Sequence, residues 1–182
     1  NRKSVRNIPQ KQEIAEKALS LLRRDTTVFL DSGSTTTMFA SRFPDQSNLI
    51  YTTGLTCATE LSSLSNPTVM LPGGKLNRYS QSVFGFSAIK ELERVNFDQA
   101  FLGITGFHPS AGFSCGISDE AILKQTAIRQ SEQVIALMDS SKVGVKCSFN
   151  ICTLSEIDIV VSDGELPEEF LAECRRFGVR VI

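Results

Sequence analysis

FLDSGSTTTMFASRF, residues 29–43, begins with two apolar residues and an acid, continues through six small residues, and then returns to hydrophobic spacing. This order predicts a short buried strand, a polar loop and a helix in direct succession. The first turn of a helix carries unpaired N–H groups and a partial positive charge, so small hydroxyl residues at this point can seat an anion. The stretch therefore favours a phosphate-binding loop at the end of a strand.

The same succession recurs along the chain, where short apolar segments alternate with segments of helical spacing. The predicted strands are 27–31, 48–53, 68–71, 98–104, 133–139, 156–163 and 179–182. The predicted helices are 9–22, 38–43, 54–65, 87–95, 121–130 and 167–178. This alternation predicts an α/β fold with a mostly parallel sheet and helices on both faces.

Length and charge limit the classes of function. The chain has 182 residues, of which 41% are hydrophobic, enough for one compact domain. A formal net charge of -1 provides no broad basic field, so the chain is a poor candidate for holding nucleic acid by itself. Residues 1–10 are polar and partly basic, and we interpret them as the remains of a linker from a longer protein, with the domain proper at 11–182.

Cysteine usage and hydropathy indicate a cytoplasmic location. The five cysteines are scattered and form no Cys-x-x-Cys pair, which fits buried thiols better than disulfides or a zinc site. No apolar run approaches the ~18 residues of a membrane span. The single histidine, His108, lies in a predicted loop without a visible partner, so we expect no histidine-dependent triad, metal site or cofactor.

Polar residues gather at the predicted carboxyl ends of five strands. In a parallel sheet these ends share one edge, which is where open α/β sheets bind ligands. The candidate ligand-binding residues are Asp31, Ser32, Gly33, Ser34, Thr35 and Thr36 after the first strand, Thr52 and Thr53 after the second, Gly73 and Gly74 after the third, Gly103 and Gly106 after the fourth, and Asp139 and Lys142 after the fifth. We expect Lys142 to neutralise a phosphate as a compact charge.

Two acidic positions have alternative interpretations. Asp31 would repel a phosphate, so we assign it to a sugar hydroxyl or to N–H groups of its own loop. Alternatively, Asp31 and Ser34 only cap a helix. Glu120 and Lys124 lie four residues apart on one helix face, either as ligand contacts or as a plain salt bridge on a solvated face.

Six motifs occur together in a fixed order. They are Asp31-Ser-Gly-Ser-Thr35, Thr52-Thr53, Leu71-Pro-Gly-Gly74, Asp98-x-Ala-Phe-Leu-Gly103, Glu120-x3-Lys124 and Asp139-Ser-Ser-Lys142. In this order they resemble the C-terminal sensor domain of the DeoR family of bacterial transcriptional regulators, over residues 11–163. The resemblance departs from the family at Thr52-Thr53, where Thr-Asn is expected.

The resemblance implies a ribose 5-phosphate isomerase-like fold and a role in repressors of carbohydrate metabolism. It also implies a phosphorylated sugar, polyol or related metabolite as effector, and an N-terminal winged helix-turn-helix domain, absent from this chain, that binds operator DNA. Because operators are two-fold symmetric, we expect a homodimer or tetramer.

Three classes of function were compared: a sensor, a sugar-phosphate isomerase and a pure oligomerisation domain. Against the isomerases, Lys124 stands where the general-base glutamate is expected, and Leu102-Gly103-Ile104-Thr105 replaces an acidic strand end. An ammonium cannot act as the base that isomerisation requires. An oligomerisation domain does not explain polar residues at five strand ends. We therefore expect binding without catalysis, with an isomerase-like enzyme as the alternative.

Overall fold

The computed structural model describes residues 7–182. Its helices are α1 (Ile8–Leu19), α2 (Ser34–Ser41), α3 (Leu55–Leu61), α4 (Phe86–Leu92), α5 (Ser118–Arg129) and α6 (Glu168–Arg176). Its strands are β1 (Thr27–Leu30), β2 (Leu49–Thr52), β3 (Thr68–Met70), β4 (Lys75–Asn77), β5 (Ser82–Phe84), β6 (Phe97–Gly103), β7 (Gly106–His108), β8 (Gly112–Cys115), β9 (Ser131–Leu137), β10 (Phe149–Cys152), β11 (Ile159–Val161) and β12 (Arg180–Val181). Short 3-10 turns occupy Ser140–Lys142 and Leu154–Glu156.

The main sheet has seven strands in the order β12-β11-β9-β6-β1-β2-β3, and every neighbouring pair is parallel. All seven strands predicted from the sequence belong to it, so the prediction of a mostly parallel α/β sheet is confirmed. From β1 the chain builds outward through β2 to β3, and then continues on the other side with β6. The strand order therefore reverses between β1 and β6, which is where ligands of such sheets bind.

Helices cover both faces of this sheet and create two hydrophobic cores. Along β1, Phe29 packs into one core, while Val28 and Leu30 pack into the other. Helices α1, α2 and α3 contribute to the second core, and α4, α5 and α6 contribute to the first. Because successive strand residues point to opposite faces, a strand buried on both sides must be apolar throughout. This is the reason that β1 was recognisable from its sequence.

Two small antiparallel sheets were missed by the sequence analysis. One is the β4–β5 hairpin, and the other consists of β10, β8 and β7. Their strands are three or four residues long, too short for a period-two pattern to be read. His108 is the last residue of β7 rather than a loop residue, and its Nδ1 accepts the Ser110 backbone N–H at 3.1 Å. This contact gives His108 a local role in the β7–β8 turn.

Helix α1 begins at Ile8, so residues 8–10, the end of the predicted linker, form its first turn. Pro9 suits this position because the first helical residues need no backbone N–H partner. The rest of the expected linker, residues 1–6, lies outside the described residues. Among residues 7–182, no helix combines the length and the apolar character needed to cross a membrane.

Gly106 provides a test of packing beside the main sheet. A Cβ atom at this position would lie 2.7 Å from the Val145 carbonyl oxygen and 2.9 Å from Val145 Cγ1. We expect Gly106→Ala to lower the free energy of unfolding by ~1–3 kcal/mol, because close-packed backbone must shift. Gly116→Ala is the matched control, since nothing lies within 4 Å of its added Cβ. Chemical denaturation that finds equal effects for the two variants would contradict this packing argument.

Candidate functional site

Asp31 lies at the end of β1 and connects it to β6. Its Oδ2 accepts the backbone N–H of Gly103 at 3.1 Å, and its own N–H donates to Phe101 O at 3.1 Å. The carboxylate therefore spans the point where the strand order reverses. The alternative that Asp31 and Ser34 only cap a helix is wrong, because α2 starts after Gly33 without any side-chain cap.

Lys124 on α5 approaches the same point from the side of the first core. Its side chain is only 2% exposed, and its Nζ lies 3.0 Å from Asp31 Oδ2 and 3.2 Å from Glu120 Oε1. It also donates to Gly103 O at 2.7 Å. The interpretation as a plain salt bridge on a solvated face is therefore wrong. Asp31, Gly103, Glu120 and Lys124 form one unit, called the Lys124 cluster below.

The charged groups of this cluster change the pKa values of Lys124 and Asp31. Burial lowers the pKa of Lys124, but the carboxylates of Asp31 and Glu120 outweigh burial and hold that pKa above its ordinary value. Burial raises the pKa of Asp31, and the Lys124 ammonium opposes that rise. Direct contact at 3.0 Å favours the ionised form of both partners at neutral pH. A lysine held as an ammonium is neither a general base nor a nucleophile.

A concave pocket opens beside the cluster. Three walls form it: the ends of β1 and β2, the β4–β5 hairpin, and the first turn of α5. The lining residues are Asp31, Ser32, Thr53, Asn77, Ser80, Ser82, Val83, Phe84, Ile117, Asp119, Glu120 and Leu123. Four residues predicted from the sequence are among them, Asp31, Ser32, Thr53 and Glu120. The other lining residues, including Asp119 and the hairpin, were not foreseen.

The β4–β5 hairpin is held against the second strand end. Val83 donates its N–H to Thr53 O at 2.8 Å, and Leu55 donates its N–H to Gln81 O at 2.9 Å. Gly74 directly precedes β4, and only glycine fits this position. Its φ is +153°, and a Cβ atom would lie 2.4 Å from Phe84 O. The Gly73 N–H donates to Glu91 Oε2 at 2.9 Å. Both predicted glycines thus shape the hairpin and are absent from the pocket lining.

The hydroxyl residues after β1 divide into two groups. Thr36 is fully buried and its hydroxyl donates to Gly33 O at 3.1 Å, so it does not reach the strand-end edge. Ser34 and Thr35 are half-buried, and within residues 7–182 their hydroxyls have no hydrogen-bond partner. After β2, the buried Thr52 hydroxyl accepts the Gly54 N–H at 3.1 Å. Of these residues, Ser34 and Thr35 remain available to an anion.

The last predicted residues lie apart from the pocket. Asp139 is buried and accepts the Ser141 N–H at 3.0 Å and the Asn7 amide at 3.4 Å. Lys142 lies near Lys11 of α1: burial lowers the pKa of Lys11, Lys142 lowers it further, and Asp139 opposes the change. Gly106 packs against Val145 and does not line the pocket.

Lys11, which is 4% exposed, was not among the residues predicted for the site. The signal was available in its spacing, because Lys11 shares one helix face with the buried residues Ile14, Ala15 and Ala18. A lysine on the apolar face of a helix is unusual, since lysine is almost never fully buried unless paired. Two lysines, Lys11 and Lys142, thus lie beside the buried Asp139 at this part of the strand-end edge.

Comparison with known proteins identifies a family model, the DeoR C-terminal sensor domain, that matches residues 6–164. The HTH-type transcriptional regulator GlpR of Haloferax volcanii is 32% identical over 99% of this chain and 71% of that protein. The HTH-type transcriptional repressor GlcR of Bacillus subtilis is 28% identical over 95% of this chain and 67% of that protein.

Among solved structures, ribose 5-phosphate isomerase A of Methanocaldococcus jannaschii superposes with a TM-score of 0.52 at 15% identity. The match covers 73% of this chain and 53% of that chain. At this level of identity the similarity concerns the fold alone. The fold is of the ribose 5-phosphate isomerase type, as the sequence motifs implied.

Proposed function

Since this chain belongs to the DeoR family of C-terminal sensor domains, we propose that its strand-end pocket binds a phosphorylated sugar or polyol as effector. The role of the domain is regulatory, and its relatives are named as transcriptional regulators and repressors. In this proposal, effector binding controls the attachment of a separate N-terminal winged helix-turn-helix domain to operator DNA. The regulator acts in the cytoplasm as a homodimer or tetramer.

The observation that carries the proposal is the polar pocket at the point where the strand order reverses. One side offers carboxylate oxygens of Asp31 and Glu120, which accept hydrogen bonds from hydroxyl groups. The start of α2 follows the lining residue Ser32 and lies outside the pocket lining. It offers N–H groups and the hydroxyls of Ser34 and Thr35, which suit a phosphate. Like charges repel, so the phosphate lies away from the carboxylates.

Cationic side chains support a phosphate on the α2 side. The strand order places β6 between β1 and β9, so the β9 end with Lys142 is two strand spacings, ~10 Å, from the β1 end. Lys11 projects from α1, which packs directly against α2. In the proposal, Lys11 and Lys142 provide the positive potential, and α2 provides the direct hydrogen bonds.

The chain is a sensor and not an enzyme, because its family and its relatives are regulatory. The isomerase-like fold does not change this conclusion, since one fold hosts many functions. The cluster geometry agrees with it: the ammonium of Lys124 is fully engaged where proton transfer would need a base.

Phosphorylated sugars should stabilise the domain, and their unphosphorylated parents should not. A hydroxyl cannot replace the charge-assisted hydrogen bonds that a phosphate accepts at the start of α2. At 100 times its dissociation constant a ligand adds ~2.7 kcal/mol, which raises the melting temperature by roughly 5 to 10 °C in a domain of this size. A thermal shift screen of aldose, ketose and polyol phosphates measures this. Equal shifts of the melting temperature from a sugar and its phosphate ester would contradict the proposed phosphate site.

Thr35→Asp should abolish the thermal shift caused by sugar phosphates while the fold is retained. The new carboxylate repels the phosphate, and an acid is tolerated in the first turn of a helix. Ser87→Asp is the matched control, because Ser87 is the exposed second residue of α4, which packs on the other face of the main sheet. If both variants bind alike, or if Thr35→Asp binds normally, the start of α2 is not the phosphate site.

The chain should not convert ribose 5-phosphate to its ketose isomer. No base is available at Lys124, whose ammonium contacts two carboxylates. A coupled assay with an authentic ribose 5-phosphate isomerase as the positive control measures the rate. A rate above the uncatalysed background that is lost in Lys124→Ala would contradict the regulatory assignment.

A further inference from the structure

We propose that Lys124 positions Asp31 and Glu120 to accept hydroxyl groups of the effector and never contacts the effector itself. This inference depends on the proposed function, because it assigns the hydroxyl-binding part of that site. It replaces the expectation from the sequence, which placed Lys124 among the ligand contacts.

The ammonium of Lys124 has no donor left for a ligand. A lysine ammonium carries three N–H donors, and three acceptors surround this one at 2.7, 3.0 and 3.2 Å. They are Gly103 O, Asp31 Oδ2 and Glu120 Oε1. Lys124 is also absent from the pocket lining, although Asp31 and Glu120 both belong to it. A ligand in the pocket therefore meets the carboxylates, with Lys124 behind them.

Each carboxylate keeps acceptor capacity for the pocket. Asp31 Oδ2 receives both Lys124 and the Gly103 N–H, and the Ser32 N–H also donates to this carboxylate. A carboxylate has about four lone-pair sites, so Asp31 can accept a further donor. Glu120 Oε1 receives Lys124, and within the described residues Oε2 has no hydrogen-bond partner. Ionised carboxylate oxygens only accept hydrogen bonds, so this pair selects ligands that present hydroxyl groups. Asp119, on the same wall, adds to the negative character of this side.

Lys124 favours the ionised form of Asp31, in which both carboxylate oxygens are acceptors. The titratable groups around Asp31 are Lys124 and Glu120 from α5, Cys57 from α3 and Cys115 from β8. Burial raises the pKa of both thiols, which keeps them neutral. Burial and the Glu120 charge raise the pKa of Asp31, and Lys124 is the cation that opposes this rise. Without it, burial and the like charge both favour a protonated Asp31, which presents a hydroxyl in place of an anionic acceptor.

The first experiment needs no ligand. Lys124→Met keeps a side chain of similar length without the charge, and ¹³C NMR of the aspartate carboxyl groups follows Asp31 between pH 5 and pH 8. Asp31→Asn identifies the resonance. We expect Asp31 to titrate at a higher pH in Lys124→Met than in the wild-type protein, because the variant lacks the ammonium that opposes the effect of burial. An Asp31 that titrates at the same pH in both proteins would overturn the inference.

The second experiment measures binding with ribose 5-phosphate and with propyl phosphate, which has no hydroxyl groups. The phosphate group of the ligand also titrates, but it does so equally for both proteins. Its effect therefore drops out of the ratio of variant to wild-type affinity at each pH. For ribose 5-phosphate we expect Lys124→Met to bind roughly 10- to 100-fold more weakly at pH 6. The deficit should shrink as pH rises, because Asp31 regains its charge. The propyl phosphate ratio should stay near one. A loss of equal size at every pH would indicate direct contact by Lys124 or general damage.

A double variant covers the case in which Lys124→Met fails to fold. Removing one partner of a buried ion pair is strongly destabilising, whereas replacing both by neutral groups is often tolerated. Asp31→Asn/Lys124→Met should therefore recover melting temperature relative to Lys124→Met yet remain weak for ribose 5-phosphate at every pH. Normal affinity of the double variant would overturn the inference. If no sugar phosphate binds the wild-type protein, the proposed function fails, while the carboxyl titration still decides the role of Lys124 at Asp31.

Discussion

A buried ammonium at the point where the strand order reverses constrains the whole strand-end region. Lys124 is 2% exposed, and an isolated charge at such a depth is very unfavourable unless it is paired and hydrogen-bonded. Its partners come from the ends of β1 and β6 and from the first turn of α5. These three segments must therefore meet within hydrogen-bond distance. The pocket lies against them and takes its carboxylates from the same group.

The sequence predicts the main sheet well because strands such as β1, β2 and β11 carry apolar residues on both faces. It predicts the cluster less well. The spacing of Glu120 and Lys124 shows that they share a helix face, but it does not show that the face is buried against Asp31. That information lies in contacts between residues about 90 positions apart, such as the Asp31–Lys124 pair. The hairpin wall was missed for a different reason: its strands are three residues long, and its register comes from docking onto Thr53.

The walls of the pocket are not equally well anchored to the rest of the protein. The β1 and β6 ends lie within a seven-stranded sheet and are tied together through Asp31. The hairpin is a separate two-stranded sheet, joined to the second strand end through Thr53, Gly54 and Leu55. Elements with few anchoring contacts open most readily. Its turn also carries Tyr79, which is 75% exposed. A ligand that bonds to Ser80 or Ser82 thus adds contacts where the protein itself makes few.

A lysine at position 124 separates binding from chemistry. A glutamate there would stand beside Asp31 and Glu120, and three carboxylates in one partly buried site would favour protonation of at least one. Such a site suits proton transfer, since a raised pKa makes a useful acid or base. An ammonium has the opposite effect: it opposes the rise of the Asp31 pKa and uses all of its own donors within the protein. The resulting surface accepts hydrogen bonds and has no group poised to exchange a proton, which suits a sensor that must release its ligand unchanged.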